Sequence, residues 1–144
     1  MTTVGIINKS KYPNPEYKTF QSSGLDVQAN IEEIITIIPN DRVLIPTGLF
    51  FEIPDDYEIQ VRPRSGLAFK NGITVLNTPG TIDSDYKGEL KVILINHSVN
   101  PFTVNPGDRV AQIVLQHVPK IQWDNIEYLT ETTRGSGGFG STGK

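Results

Sequence analysis

The chain has 144 residues, 37% of them hydrophobic and 20% charged, which is enough to bury one domain core and too apolar for a wholly disordered polymer. It has no cysteine, which excludes disulfides, zinc–thiolate sites and a thiol nucleophile. Its formal charge of −3, with no block of Lys or Arg, argues against a nucleic-acid backbone as partner.

The opening stretch MTTVGIINKSKYPNP has no long apolar run, so neither a secretory signal nor a membrane span is expected, and the cytoplasm is the default location. Strands then follow one another. Val43–Pro46 runs through Thr47-Gly48 into Leu49–Ile53, and Pro54-Asp55-Asp56 is a turn signal. Tyr57–Arg62 alternates, with Tyr57, Ile59 and Val61 on one face and Glu58, Gln60 and Arg62 on the other. Ser65–Lys70 suits one short helix, with Ser65 as N-cap and Gly72 as its stop. Leu90–Asn96 is nearly all apolar and reads as a strand covered on both sides. Arg109–Leu115 is another strand, reached through the turn Asn105-Pro106-Gly107-Asp108. Ten prolines and thirteen glycines between short strands indicate an all-β sandwich or barrel. The expected division is a β domain over 1–129 and a C-terminal arm over 130–144.

Three stretches carry candidate chemistry. The tail RGSGGFGSTGK has five glycines in eleven residues, yet also Arg134, Phe139 and three hydroxyls. It satisfies G-x-x-x-x-G-K but lacks the following Ser or Thr, the preceding strand and the following helix of a P-loop. What survives is the ability of glycine-rich backbone to approach phosphate oxygens closely, so the tail reads as a closing lid rather than a spent linker. Asp83-Ser84-Asp85-Tyr86-Lys87-Gly88 begins like a calcium loop, but Lys87 and Leu94 stand where an oxygen ligand and a bidentate glutamate are required, and calcium is rejected. Arg62-Pro63-Arg64-Ser65-Gly66 places two arginines before a helix start, a pattern suited equally to an anion or to a plain capped turn. His97 and His117 show no metal-ligand pairing and read as incidental.

Taken in order, Ser23–Val27, Arg62–Ala68, Asn77–Glu89, Gly107–Gln112 and Arg134–Gly143 resemble the five motifs of the homotrimeric dUTPases, the deoxyuridine triphosphate nucleotidohydrolases. The third and fifth are the most specific. The resemblance implies a jelly-roll-like distorted β-barrel with one short helix and a flexible Gly-rich arm, assembled as a homotrimer with sites between subunits. It implies hydrolysis of dUTP to dUMP and pyrophosphate with Mg²⁺. By matching position, Asp83 would orient and deprotonate the attacking water. Tyr86 would pack on the deoxyribose, and Asn77 with the backbone of Gly80 and Ile82 would bind uracil. Arg64, Ser65, Gly66 and Gln112 would contact the phosphates. In the arm, Phe139 would stack over uracil, Arg134, Ser141 and Thr142 would reach the phosphate chain, and Gly140 belongs to the same set. Asp26 would help hold the metal through water.

Leu25, Thr81 and Lys87 depart from the commoner family pattern without altering a proposed contact group. The nearest rival of the same fold is dCTP deaminase, which needs a pocket glutamate, a role open to Glu89 by position. A rival of another class is a non-catalytic nucleotide-binding β-barrel module.

Overall fold

A computed structural model of the chain describes residues 1–141 and Gly143. Ten strands and one helix follow in order: β1 (Gly5–Asn8), β2 (Leu25–Gln28), β3 (Ile35–Ile37), β4 (Arg42–Glu52), β5 (Tyr57–Arg62), α1 (Ser65–Asn71), β6 (Ile73–Val75), β7 (Gly80–Ile82), β8 (Leu90–Asn96), β9 (Phe102–Val104) and β10 (Arg109–His117). They form two four-stranded sheets, β1-β4-β8-β6 and β2-β10-β5-β7, with the pair β3-β9 beside them. Every pairing is antiparallel. The inward faces of both sheets meet in one core that includes Val27, Ile37, Ile45, Ile59, Ile73, Leu90, Val92, Leu94, Val104 and Val110. Among the described residues no helix is long and apolar enough to cross a membrane.

The alternation in Tyr57–Arg62 holds: Ile59 and Val61 are buried, whereas Glu58, Gln60 and Arg62 line the outer face. On that face Arg62 donates to the Gln60 side chain at 2.7 Å, and Gln60 donates to Glu58 at 2.7 Å. The turn at Pro54-Asp55-Asp56 closes with Tyr57 N–H donating to Pro54 O at 3.2 Å, with Asp56 at φ 65°.

Two expectations need correction. Ser65 is the first residue of α1; the N-cap is Arg64, whose extended backbone precedes the helix without a side-chain cap. Gly72 does stop the helix, at φ 64°, with its N–H returned to Ala68 O at 3.1 Å. Strand β8 is not covered on both sides within this chain. Leu90, Val92, Leu94 and Asn96 point into the core, but Lys91 is exposed and Ile93 and Ile95 are half-buried. Beside them Leu44 and Leu76 are 54% and 44% exposed, leaving an apolar outer face on this sheet.

The two apolar runs around Thr47-Gly48 are one strand with a bulge. Register against β8 slips between Pro46 and Leu49. Gly48 sits at φ +72°, where a Cβ would lie 2.9 Å from Ser10 N, so only glycine fits. Thr47 Oγ1 donates to Leu90 O at 2.6 Å, and Gly48 N–H donates to Glu89 Oε1 at 2.8 Å. The fully buried Asn96 amide is also satisfied, donating to Ile37 O at 2.9 Å and Asn100 O at 2.8 Å while accepting from Ser98 N–H at 2.9 Å.

Candidate active site

The expected phosphate-contacting residues converge at one end of the β2-β10-β5 sheet. Gln112 lies opposite Arg62 on one side and Asp26 on the other, so these side chains share the outer face of three adjacent strands. Gln112 Nε2 donates to Pro63 O at 3.0 Å, fixing the loop that leads into α1. A Cβ at Gly24 would collide with the Gln112 amide, so the backbone of the first motif lies directly against that of the fourth through this side chain. Arg64 donates from Nε to Asp26 Oδ1 at 2.9 Å, and Arg109 donates from Nη1 to Asp26 Oδ2 at 3.2 Å. Ser65 and Gly66 stand exposed at the start of α1, and a Cβ on Gly66 would point into open space. At the rim of this group Lys18 donates to Glu16 at 2.8 Å, which holds the Glu16 carboxyl below the usual carboxylate range.

A second group gathers on β7 and the loops around it. Gly80 is buried opposite Val61, and a Cβ there would press on Asn77 Nδ2 at 3.2 Å and Val61 Cβ at 3.3 Å. β7 is the outermost strand of its sheet, so one edge of its backbone faces away from β5. Asp83 follows immediately and is exposed. Its carbonyl accepts from Tyr86 N–H at 3.1 Å, closing the turn, and Lys87 donates to Ser84 O at 3.0 Å and to Glu52 at 2.8 Å. Tyr86 donates its hydroxyl to Glu89 O at 3.0 Å, which lays the ring over Gly88, where a Cβ would lie 2.9 Å from the ring Cε2.

Among the described residues, Asp83 stands away from the first group within one chain, although Gly80 lies opposite Val61 beside Arg62. Ile82 pairs with Ile59, so Asp83 leaves the sheet at the far end of β5 from Arg62 and Arg64. Ile59 and Arg62 alone are separated by about 10 Å of strand.

The dUTPase family pattern matches residues 10–143 of this chain. The deoxyuridine 5'-triphosphate nucleotidohydrolase of Cytophaga hutchinsonii is 53% identical over 143 residues, covering 99% of this chain and 93% of that protein. The chain belongs to the dUTPase family. Its fold agrees with two solved dUTPase structures. That of Staphylococcus bacteriophage 80alpha with dUpNHpp superimposes with a TM-score of 0.89 at 22% identity, covering 100% of both chains. A point mutant of the dUTPase from S. aureus phage phi11, described as revealing coordination of a structural Mg(II) ion, gives 0.80 at 20% identity, covering 90% of this chain and 100% of that one.

In this dUTPase-family chain the described residues of the C-terminal segment stand apart from both groups. The last strand ends at His117, and Val118 N–H donates to Asp56 O at 2.7 Å. Beyond it, among the described residues, the hydrogen bonds are local: Arg134 Nε to Gly137 O at 2.8 Å, Gly137 N–H to Arg134 O at 3.0 Å, and Ser141 N–H to Gly138 O at 3.0 Å. Phe139 is fully exposed, with φ 51°, and Gly140 follows at φ 84°. Thr142, the last expected arm contact, lies outside the described residues. Sequence reasoning missed Arg109 as a neighbour of the expected phosphate-contacting residues. It lies within the fourth motif, Gly107–Gln112, but nothing local ties it to its partner Asp26, 83 positions away.

Proposed function

We propose that the protein hydrolyses dUTP to dUMP and pyrophosphate, with Asp83 positioning the water that attacks the α-phosphorus. A new bond forms between the water oxygen and that phosphorus. The bond from the α-phosphorus to the bridging oxygen of the β-phosphate breaks, and Asp83 takes the water's proton. The observation that carries this reading is the β7 hairpin, where an exposed carboxylate follows directly after a strand edge able to read a base. Phosphoryl transfer depends mostly on placement and charge stabilisation, so an aspartate in the right position suffices. The uracil edge would meet Asn77 and the outward backbone of Gly80 and Ile82. Those backbone groups have fixed donor and acceptor character, so cytosine would leave buried polar groups unpaired. Arg64, Ser65, Gly66 and Gln112 would hold the phosphates, and Phe139, Gly140, Ser141, Thr142 and Arg134 would close over the nucleotide.

Two features support a homotrimer with sites shared between subunits. The apolar outer face of β4 and β8 needs a cover, since exposed apolar patches of this kind mark association surfaces. Asp83 leaves the sheet at the opposite end of β5 from Arg62, so a second chain would bring phosphate-holding residues against it. A cytoplasmic location belongs to the same reading.

Among the described residues no three His, Asp or Glu side chains gather into a metal cage. Among the described residues Asp26 presents the carboxylate between Arg64 and Arg109, and both its oxygens already accept arginine N–H. That donor set suits a hydrated Mg²⁺ carried by the triphosphate and touched by Asp26 through water. When bound, the ion would neutralise charge on the phosphate chain.

Glu89 bears on the deaminase rival. Its carboxylate accepts from Gly48 N–H and lies 3.8 Å from Lys91 Nζ, so it braces the β4 bulge instead of lining a base pocket. The test is release of pyrophosphate and ammonia from dUTP, dCTP, dTTP and UTP. Pyrophosphate from dUTP alone is the expected result. Ammonia from dCTP would favour the deaminase, and saturable binding without product would favour a binding module. In the same assay Gly88→Ala is expected to displace the Tyr86 ring and weaken the preference for dUTP over UTP about 10-fold. Tyr86 packed on the deoxyribose would leave no space for a ribose 2′-hydroxyl, and an unchanged ratio would remove it from that role.

A further inference from the structure

We propose that Arg109 is a second guanidinium of the phosphate site, and that Asp26 is the residue that positions both it and Arg64. The inference rests on the dUTP reading and deepens it.

The backbone supplies the first argument. In a regular strand, residues three apart point to opposite faces, so Arg109 and Gln112 should lie on opposite sides of β10. They do not. The register against β2 slips between Arg109, which pairs with Gln28, and Ala111, which pairs with Val27. The extra residue is Val110, and both Val110 and Ala111 are buried. This bulge turns the Arg109 side chain onto the outer face, where it meets Asp26.

The contacts supply the second. One carboxylate separates two guanidinium groups, with Arg64 at 2.9 Å on one oxygen and Arg109 at 3.2 Å on the other. Arg64 also donates from Nη1 to the Arg109 carbonyl at 3.3 Å. A guanidinium carries five N–H donors, so each arginine keeps most of its donors after bonding to Asp26. The triad has a net charge of +1, and a cleft of about 240 Å³ lined by Arg64, Leu67, Phe102, Asp108, Arg109 and Val110 opens beside it. The nearby Glu16 carboxylate is engaged by Lys18, whereas the Asp108 carboxylate lines the same cleft and is turned to Asn105 N–H at 2.8 Å, so the free guanidinium donors, more than net charge, suit the site to an anion. Partly exposed ion pairs of this kind contribute little to stability, and Arg109 is 51% exposed. Two fixed forks suit the successive phosphates of a nucleoside triphosphate, which accept paired N–H bonds.

The experiment titrates dUpNHpp and dUMP into the wild-type protein, Arg109→Ala, Arg109→Gln and Asp26→Asn, once with Mg²⁺ and once with EDTA. Arg109→Ala and Arg109→Gln should weaken dUpNHpp binding about 10- to 100-fold and dUMP binding less than about threefold. Asp26→Asn should weaken dUpNHpp in EDTA as well as in Mg²⁺, because the positioning acts without the ion. Equal losses for both ligands, or none for either, would overturn the role of Arg109. A loss on Asp26→Asn confined to the Mg²⁺ titration would overturn the positioning role. If wild type bound no dUpNHpp and left dUTP intact, the dUTP reading would fall and this one with it. Wild-type turnover with an unaffected Arg109→Ala would sink this one alone.

Discussion

Asp83→Asn is expected to lower kcat for dUTP about 100- to 10,000-fold while leaving affinity for dUpNHpp within about threefold. The structure separates the two effects. The turn that carries Asp83 is closed by its backbone carbonyl, and Lys87 ties it to Ser84 O and Glu52. The Asp83 carboxylate takes no part in those contacts, so the amide should leave the hairpin in place. Single-turnover pyrophosphate release beside equilibrium binding reads both quantities. Near-normal kcat would mean that the water is positioned by another group.

Removal of residues 134–144 is expected to leave a folded protein whose kcat/KM for dUTP is reduced about 100- to 10,000-fold. A base–aromatic stack is worth about 1–3 kcal/mol. A charge-assisted bond from an arginine to phosphate adds about 1.5–3 kcal/mol. Together they span that range at about 1.4 kcal/mol per decade. The fold should tolerate the loss, because the described hydrogen bonds of these residues stay within the arm and Phe139 is fully exposed. Thermal melting with steady-state kinetics checks both halves. A truncated chain that failed to fold would make the arm a structural element.

Much of the architecture is legible because a strand's two faces are written in its own residues. Tyr57–Arg62 announces its buried side through the period of two, and Pro54-Asp55-Asp56 and Gly72 announce their turns through residues that tolerate φ > 0 or fix φ. What escapes depends on pairing. The apolar run of β8 suggests two covered faces, but only the pairing partners show that Ile93 shares its outer face with the exposed Leu44. Ser65 looks like a cap because its side chain could serve as one, while the backbone makes Arg64 the cap without using any side chain.

The same limit applies to the site. Arg64, Ser65, Gln112, Asn77, Gly80, Asp83 and Tyr86 stand out through the order of their motifs. The ion pairs joining Asp26 to Arg64 and Arg109 cross 38 and 83 positions of sequence, and no local pattern encodes them. The bulge at Val110 is equally silent, since an extra residue in a strand shows only when a partner strand is laid beside it.

The latch between Glu89 and the kink at Gly48 limits what this scaffold could become. A descendant recruiting that acid for work on a pyrimidine ring would first have to let go of the amide it holds, and the longest ribbon of the barrel would lose its alignment with β8. New ring chemistry would therefore demand at least two coordinated changes, one to free the acid and one to re-anchor the strand. Freeing the acid and keeping the strand aligned are thereby coupled through one carboxylate oxygen.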